Sequence, residues 1–175
     1  MSDAQENQWW QTEDNDEVAT SPELWRPIKE RVGGFDLDPA AGAEPTPIAE
    51  ERYTKEDDGL AQSWHGNVWL NPPFSDKTPW YRKLVSELNA GRVERAVAVA
   101  PVDPSCNWFH EWYSRADVVC FLDGRNWYIG HGDSPSFSTM LGAWNPTDEL
   151  TEWLISMGTV VYPEQDTEQT TLFEE

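Results

Sequence analysis

A chain of 175 residues has room for one domain with a sizeable core. It contains no run of 18 apolar residues, which excludes a membrane-spanning helix, and its two cysteines are too few for a disulfide framework. A net charge of −20 is adverse for a protein that would grip phosphate through lysine and arginine, unless salt in its medium screens surface charge.

The charge is unevenly spread. Residues 1–18 hold six acids and residues 164–175 hold five, neither with a base, which leaves 21 acids against 12 bases between them. Both ends read as disordered acidic tails around a domain over residues 19–163. Only four of the bases are lysines. An acidic, lysine-poor surface suits a halophilic cytoplasm; it equally suits an acidic protein that never meets nucleic acid. The start is polar, with no basic or apolar stretch of a secretory signal, so the cytoplasm (of the host, if the protein is viral) is the expected location.

In chain order, Thr20-Ser21-Pro22-Glu23 opens a helix, with Thr20 as the expected cap and Glu23 completing a capping box. Leu24, Ile28 and Val32 follow at helical spacing, and Gly33-Gly34 stops the helix. Phe35 to Asp38 is a short strand leading into Pro39-Ala40-Ala41-Gly42. An irregular stretch follows, and then Asn67 to Leu70 forms a strand that runs into Asn71-Pro72-Pro73-Phe74, where two prolines end the ladder. Thr78 is the expected cap of a helix over 79–89, with Trp80, Leu84, Val85 and Leu88 as its apolar stripe. Residues 95–102 form the most strand-like run, typical of a central parallel strand. Ser105 then caps a short helix to Tyr113. Strands follow at 117–122, 126–129 and 137–144, a helix at 148–157, and a last strand at Val160-Val161. Strands alternating with helices predict a three-layer α/β domain with a largely parallel sheet.

The chemistry concentrates at Asn71-Pro72-Pro73-Phe74, because ligands bind at the carboxyl edge of such sheets. A nucleobase amino group is a poor nucleophile: its lone pair is delocalised into the ring. An Asn carbonyl and a backbone carbonyl beside proline can accept hydrogen bonds from that NH₂, letting nitrogen pyramidalise as it attacks. The prolines hold those acceptors rigidly. An aromatic ring at the fourth position can stack on a flipped-out base. Cys106, Cys120 and His110 lack metal-ligand spacing and read as ordinary residues, so no metal is expected.

The ordered set of segments resembles the phage-type Dam family of DNA N6-adenine methyltransferases. It comprises Thr20-Ser21-Pro22-Glu23-Leu24, Leu37-Asp38-Pro39-Ala40-Ala41-Gly42, Asp57-Asp58-Gly59-Leu60 with Trp64, and Asn71 to Phe74. It continues with Ala98 to Pro101, Trp108-Phe109-His110, Gly124-Arg125 with Tyr128, and Pro135 to Ser138. The resemblance covers roughly residues 20–145. It implies a Rossmann-like fold with S-adenosylmethionine as cofactor and double-stranded DNA as partner. Asn71, Pro72, Pro73 and Phe74 would then form the catalytic loop. Thr20, Asp38, Ala40, Gly42, Asp58 and Asn71 would hold the cofactor, Thr20 at its methionine carboxylate. DNA contacts would come from loops carrying Lys77, Trp80, Trp108 and Arg125. The chain departs from the superfamily's commonest pattern: no Gly-x-Gly follows the first strand, and no second-strand carboxylate is evident before residue 57. Methylation of cytosine N4 uses the same hydrogen-bond logic and stays open, as does a non-catalytic acidic DNA mimic. A role in restriction–modification or viral genome protection would follow from the enzyme reading.

Overall fold

A computed structural model describes residues 19–42, 46–124, 127–129 and 137–164. The expected tails, apart from Glu164, therefore lie outside the described residues, as do Arg125, Asn126, Pro135 and Ser136. In chain order the elements are β1 (Ala19–Thr20), α1 (Pro22–Val32), β2 (Phe35–Asp38), β3 (Ala49–Arg52) and β4 (Gly66–Leu70). They continue as α2 (Thr78–Asn89), β5 (Val93–Pro101), α3 (Asn107–Glu111), β6 (Val118–Leu122), β7 (Tyr128–Ile129), β8 (Thr139–Trp144), α4 (Asp148–Met157) and β9 (Gly158–Val161).

Seven strands form one sheet in the order β3-β2-β4-β5-β8-β6-β9. β3, β2, β4 and β5 are mutually parallel; β8 runs against both β5 and β6, and β9 against β6. Five strands thus share one direction, as expected of a mostly parallel α/β sheet. The central strands are buried on both faces, and their side chains divide with period two. Val97 and Val99 of β5 and Trp69 of β4 join the core under α1 and α4, with Leu24, Ile28, Leu150 and Leu154. Ala96, Ala98, Ala100, Val68 and Leu70 join the core under α2 and α3, with Tyr81, Leu84 and Trp108. The alanines are small because rings occupy that side: Tyr81 lies 5.1 Å from Tyr113 and 5.4 Å from Trp108, centroid to centroid. Each buried tyrosine hydroxyl donates to a β5 carbonyl, Tyr81 to Val99 at 2.7 Å and Tyr113 to Ala98 at 2.8 Å, so the rings enter the core without a polar penalty.

Three expected caps are corrected. Ser21, not Thr20, caps α1, its Oγ accepting from Glu23 N at 3.3 Å, while Thr20 belongs to β1. Thr78 is the first residue of α2, with Lys77 before it, and Ser105 donates its Oγ–H to Asp103 instead of capping α3. Gly33 ends α1 in the left-handed conformation as expected (φ 80°). The stretch read as irregular contains β3, a parallel edge strand against β2.

Candidate active site

β2 is followed by a crossover to β3 on one side, and β4 leads to β5 on the other, so the chain changes direction across the β2–β4 pair. The crevice outside the carboxyl ends of such strands is where an open α/β sheet binds ligands. Asp38 ends β2 and Asn71 follows β4, so the two motifs singled out in the sequence flank one crevice.

Asn71 is tied down from outside the sheet. Its Nδ2 donates to Thr20 Oγ1 at 3.1 Å, and Thr20 is held in β1, which pairs antiparallel with β7. Thr20 is only 2% exposed. Committing the NH₂ half of the amide to this hydroxyl fixes the direction in which the carbonyl half faces. Pro72 and Pro73 then carry the loop into a single 3₁₀ turn over Phe74–Asp76.

Phe74 does not face the crevice as a stacking surface. It is 3% exposed and packs edge-on against Phe137 (5.6 Å) and Tyr128 (6.4 Å), which anchors the loop in the core. Lys77, expected at DNA, is 4% exposed: its Nζ donates to the Phe74 carbonyl at 3.0 Å and lies 5.1 Å from the centre of the Trp108 ring. Trp108 is buried beside Tyr81. Trp80 is half-buried and stacks on Trp64 at 6.2 Å. These three residues pack the loop and its surroundings, a role that their residue types do not reveal in a sequence. Arg125 lies outside the described residues.

On the other side of the crevice the Asp38 carboxyl is buried, and burial raises its pKa to about 7 against the opposing effects of the Ala40 amide and the Arg52 charge. Ala40 N donates to Asp38 Oδ1 at 3.3 Å, and Ala40 itself is half-buried. Tyr53 N donates to Asp38 O and Ala41 N to Tyr53 O, both at 2.9 Å, stitching the Asp38 turn to the end of β3. A Cβ added at Gly42 would meet no heavy atom of the other described residues within 4 Å. At Gly59 a Cβ would lie 1.9 Å from the Pro39 carbonyl oxygen, so the 57–64 segment closes directly over that turn. Within that segment, Trp64 Nε1 donates to Gly59 O at 2.8 Å. The two preceding acids differ. Thr54 donates to Asp57 Oδ2 through both N and Oγ1, which lowers the Asp57 pKa, whereas Asp58 is exposed and takes φ 53°.

The sequence reading missed Arg52. It ends β3 as the register partner of Asp38, and its Nη1 is buried without a hydrogen-bond partner among the described residues. The missed signal was β3 itself, which three charged residues in four concealed.

A family model described as DNA N-6-adenine-methyltransferase (Dam) matches residues 7–139. This chain belongs to the Dam family. A DNA N-6-adenine-methyltransferase of Escherichia phage T1 is 29% identical over 107 residues, covering 60% of the chain and 44% of that protein. The chain thus spans less than half the length of this curated relative. No solved structure matches it. Within the Dam family match fall both flanks of the crevice, Asp38 and Asn71, together with Thr20, Arg52 and Gly59.

Proposed function

We propose that this protein methylates the exocyclic N6 of adenine in double-stranded DNA, with S-adenosylmethionine as donor. Family membership supports the reaction class, and the observation that carries the reading is the Thr20–Asn71 hydrogen bond at the topological switch point. The donor supplies a methyl group on a sulfonium, a strong electrophile that needs only a competent nucleophile in line. Asn71 Oδ1 and the Pro72 carbonyl accept hydrogen bonds from the adenine NH₂, which localises the nitrogen lone pair toward the methyl group. An amide oxygen is too weak a base to keep the proton that nitrogen then sheds, so that proton passes to water. Because Phe74 is buried, its part is to fix the loop, and the base reaches Asn71 by leaving the duplex.

The crevice suits a polar, hydroxyl-bearing cofactor. Supporting this are a buried carboxyl (Asp38), a buried guanidinium nitrogen with no hydrogen-bond partner among the described residues (Arg52), and a Gly42 whose added Cβ would meet none of the other described residues. Asp58, Ala40 and Gly42 complete the proposed cofactor contacts, while Thr20 and Asn71 serve the transfer step. The acidic surface fits work at high salt in a cytoplasm, where screening shortens repulsion from DNA. Restriction–modification or viral genome protection is the corresponding biological setting.

The test is incubation with unmethylated DNA and S-adenosylmethionine at low and at molar KCl, with nucleosides analysed by mass spectrometry. N6-methyladenine is the expected product. N4-methylcytosine would overturn the base assignment. No methylated base at either salt, with no cofactor binding, would favour a non-catalytic acidic DNA mimic.

A further inference from the structure

We infer that Arg82, laid on the Trp112 indole, is a contact for the DNA backbone, which sets the duplex along the α2 side of the crevice. This rests on the DNA methyltransferase reading above. α2 begins just after the Asn71-Pro72-Pro73-Phe74 loop, and Arg82 stands one turn in, roughly 6 Å along the axis from its first residue. The major groove of DNA alone is about 12 Å wide, so a duplex with a base at Asn71 reaches the first turns of a helix that starts beside it.

Two cation–indole pairs join α2 to the α3 segment. Lys77 Nζ lies 5.1 Å from the centre of the Trp108 ring, and Arg82 Cζ lies 5.6 Å from that of Trp112. The first pair is buried, and its ammonium is spent on the Phe74 carbonyl. The second opens to solvent. Arg82 is exposed, and among the described residues the ion pairs are made by Lys83, Arg92 and His65, not by Arg82. Trp112 is half-buried against the core under α2, with its Nε1 shut off from solvent, so the ring that carries the guanidinium is fixed. A guanidinium resting on such a ring has less freedom to lose on taking a phosphate, and its N–H donors stay available.

Charge selects this face. In a chain of net charge −20, residues 78–85 hold Arg82 and Lys83 and no acid. Lys83 is drawn to Glu87 at 3.7 Å, whereas the residues four places from Arg82 are Thr78 and Ser86, both uncharged. Arg26 of α1 also rests on an indole, that of Trp25 at 5.3 Å, but stands between Glu23 and Glu30 at helical spacing, which offset its charge. α4 presents Asp148, Glu149 and Glu152 without a base. A polyanion therefore meets the least repulsion along α2.

Fluorescence anisotropy with a labelled, unmethylated duplex would give the slope of log affinity against log KCl, with S-adenosylhomocysteine present. The phosphate contribution does not depend on sequence, so the target site need not be known. Wild type, Arg82→Gln, Arg82→Lys and Arg26→Gln would be compared, each checked by circular dichroism. Arg82→Gln is expected to make the slope about 0.9 shallower and to weaken binding ~8-fold at about 0.1 M KCl, as loss of one phosphate contact does. Arg82→Lys keeps the charge and should keep most of the slope; Arg26→Gln should match the wild type. An unchanged slope in Arg82→Gln, or a loss in Arg26→Gln instead, would overturn this assignment alone. A wild type that binds S-adenosylhomocysteine but no DNA at any salt would overturn the DNA reading and this assignment with it.

Discussion

Asn71 Nδ2 donates to Thr20 Oγ1 across 51 residues of sequence, at 3.1 Å, and this bond makes β1 part of the proposed catalytic apparatus. Thr20→Val keeps the shape and removes the acceptor. It should lower kcat ~10–100-fold, the range for losing one orienting hydrogen bond, while leaving S-adenosylhomocysteine affinity within ~3-fold. Thr20→Ser should restore most of the rate. Single-turnover kinetics with titration calorimetry separate the two effects; an affinity loss as large as the rate loss would mean that Thr20 touches the cofactor directly.

Asp38 gives a pH signature. Its folded pKa, raised to about 7 by burial, exceeds that of an unfolded aspartate, so the native state holds the proton longer. From this group stability falls as pH rises from about 4 to about 7 and is level beyond, since the folded state binds more protons across that window. Asp38→Asn should flatten this part of the denaturation-midpoint profile. If ionised Asp38 accepts a hydrogen bond from the cofactor, S-adenosylhomocysteine should bind more tightly as pH rises from 5.5 to 7.5, and Asp38→Asn should lose that dependence. A wild-type affinity that is flat with pH would contradict the assignment.

Lys77 separates packing from phosphate contact. Each phosphate neutralised by a protein cation adds about 0.9 to the slope of log affinity against log salt. Buried against Trp108 and the Phe74 carbonyl, Lys77 should add nothing, so Lys77→Met should keep the wild-type slope while lowering the melting temperature. A slope smaller by about one unit would return Lys77 to the DNA surface.

Much of this was legible in the chain. The helix ended by Gly33, the strand feeding Asn71, the apolar run of β5 and the helix over Asp148–Met157 follow from local chemistry: an αL glycine, paired prolines, an unbroken apolar stretch and an N-terminal threonine cap. The order of motifs also put Asp38 and Asn71 on one crevice. What escaped depends on partners distant in sequence. β3 reads Ala-Glu-Glu-Arg, and an edge strand with two exposed glutamates has no apolar rhythm to betray it. Thr20 looked like a cap because its partners, Tyr128 and Asn71, lie 108 and 51 residues away. Lys77 looked exposed by type and Phe74 read as a stacking surface for a base, yet the aromatic core beneath α2 and the Tyr128–Phe137 pair bury them.

Gly59 tests the closure over the Asp38 turn. A methyl group there would sit 1.9 Å from the Pro39 carbonyl oxygen, a backbone atom that cannot yield like a flexible side chain. Gly59→Ala should destabilise the fold by about 1–3 kcal/mol and weaken S-adenosylhomocysteine binding, read by thermal denaturation and calorimetry. An alanine variant with wild-type stability and affinity would show that the 57–64 segment does not close over that turn.

The most direct test of the central claim is mass spectrometry of nucleosides from DNA treated with the wild type and with Asn71→Ala, both first shown to bind S-adenosylhomocysteine. The account expects N6-methyladenine from the wild type and a loss of at least ~100-fold in the variant at nearly unchanged cofactor affinity. N6-methyladenine formed at comparable rates by both proteins would contradict it.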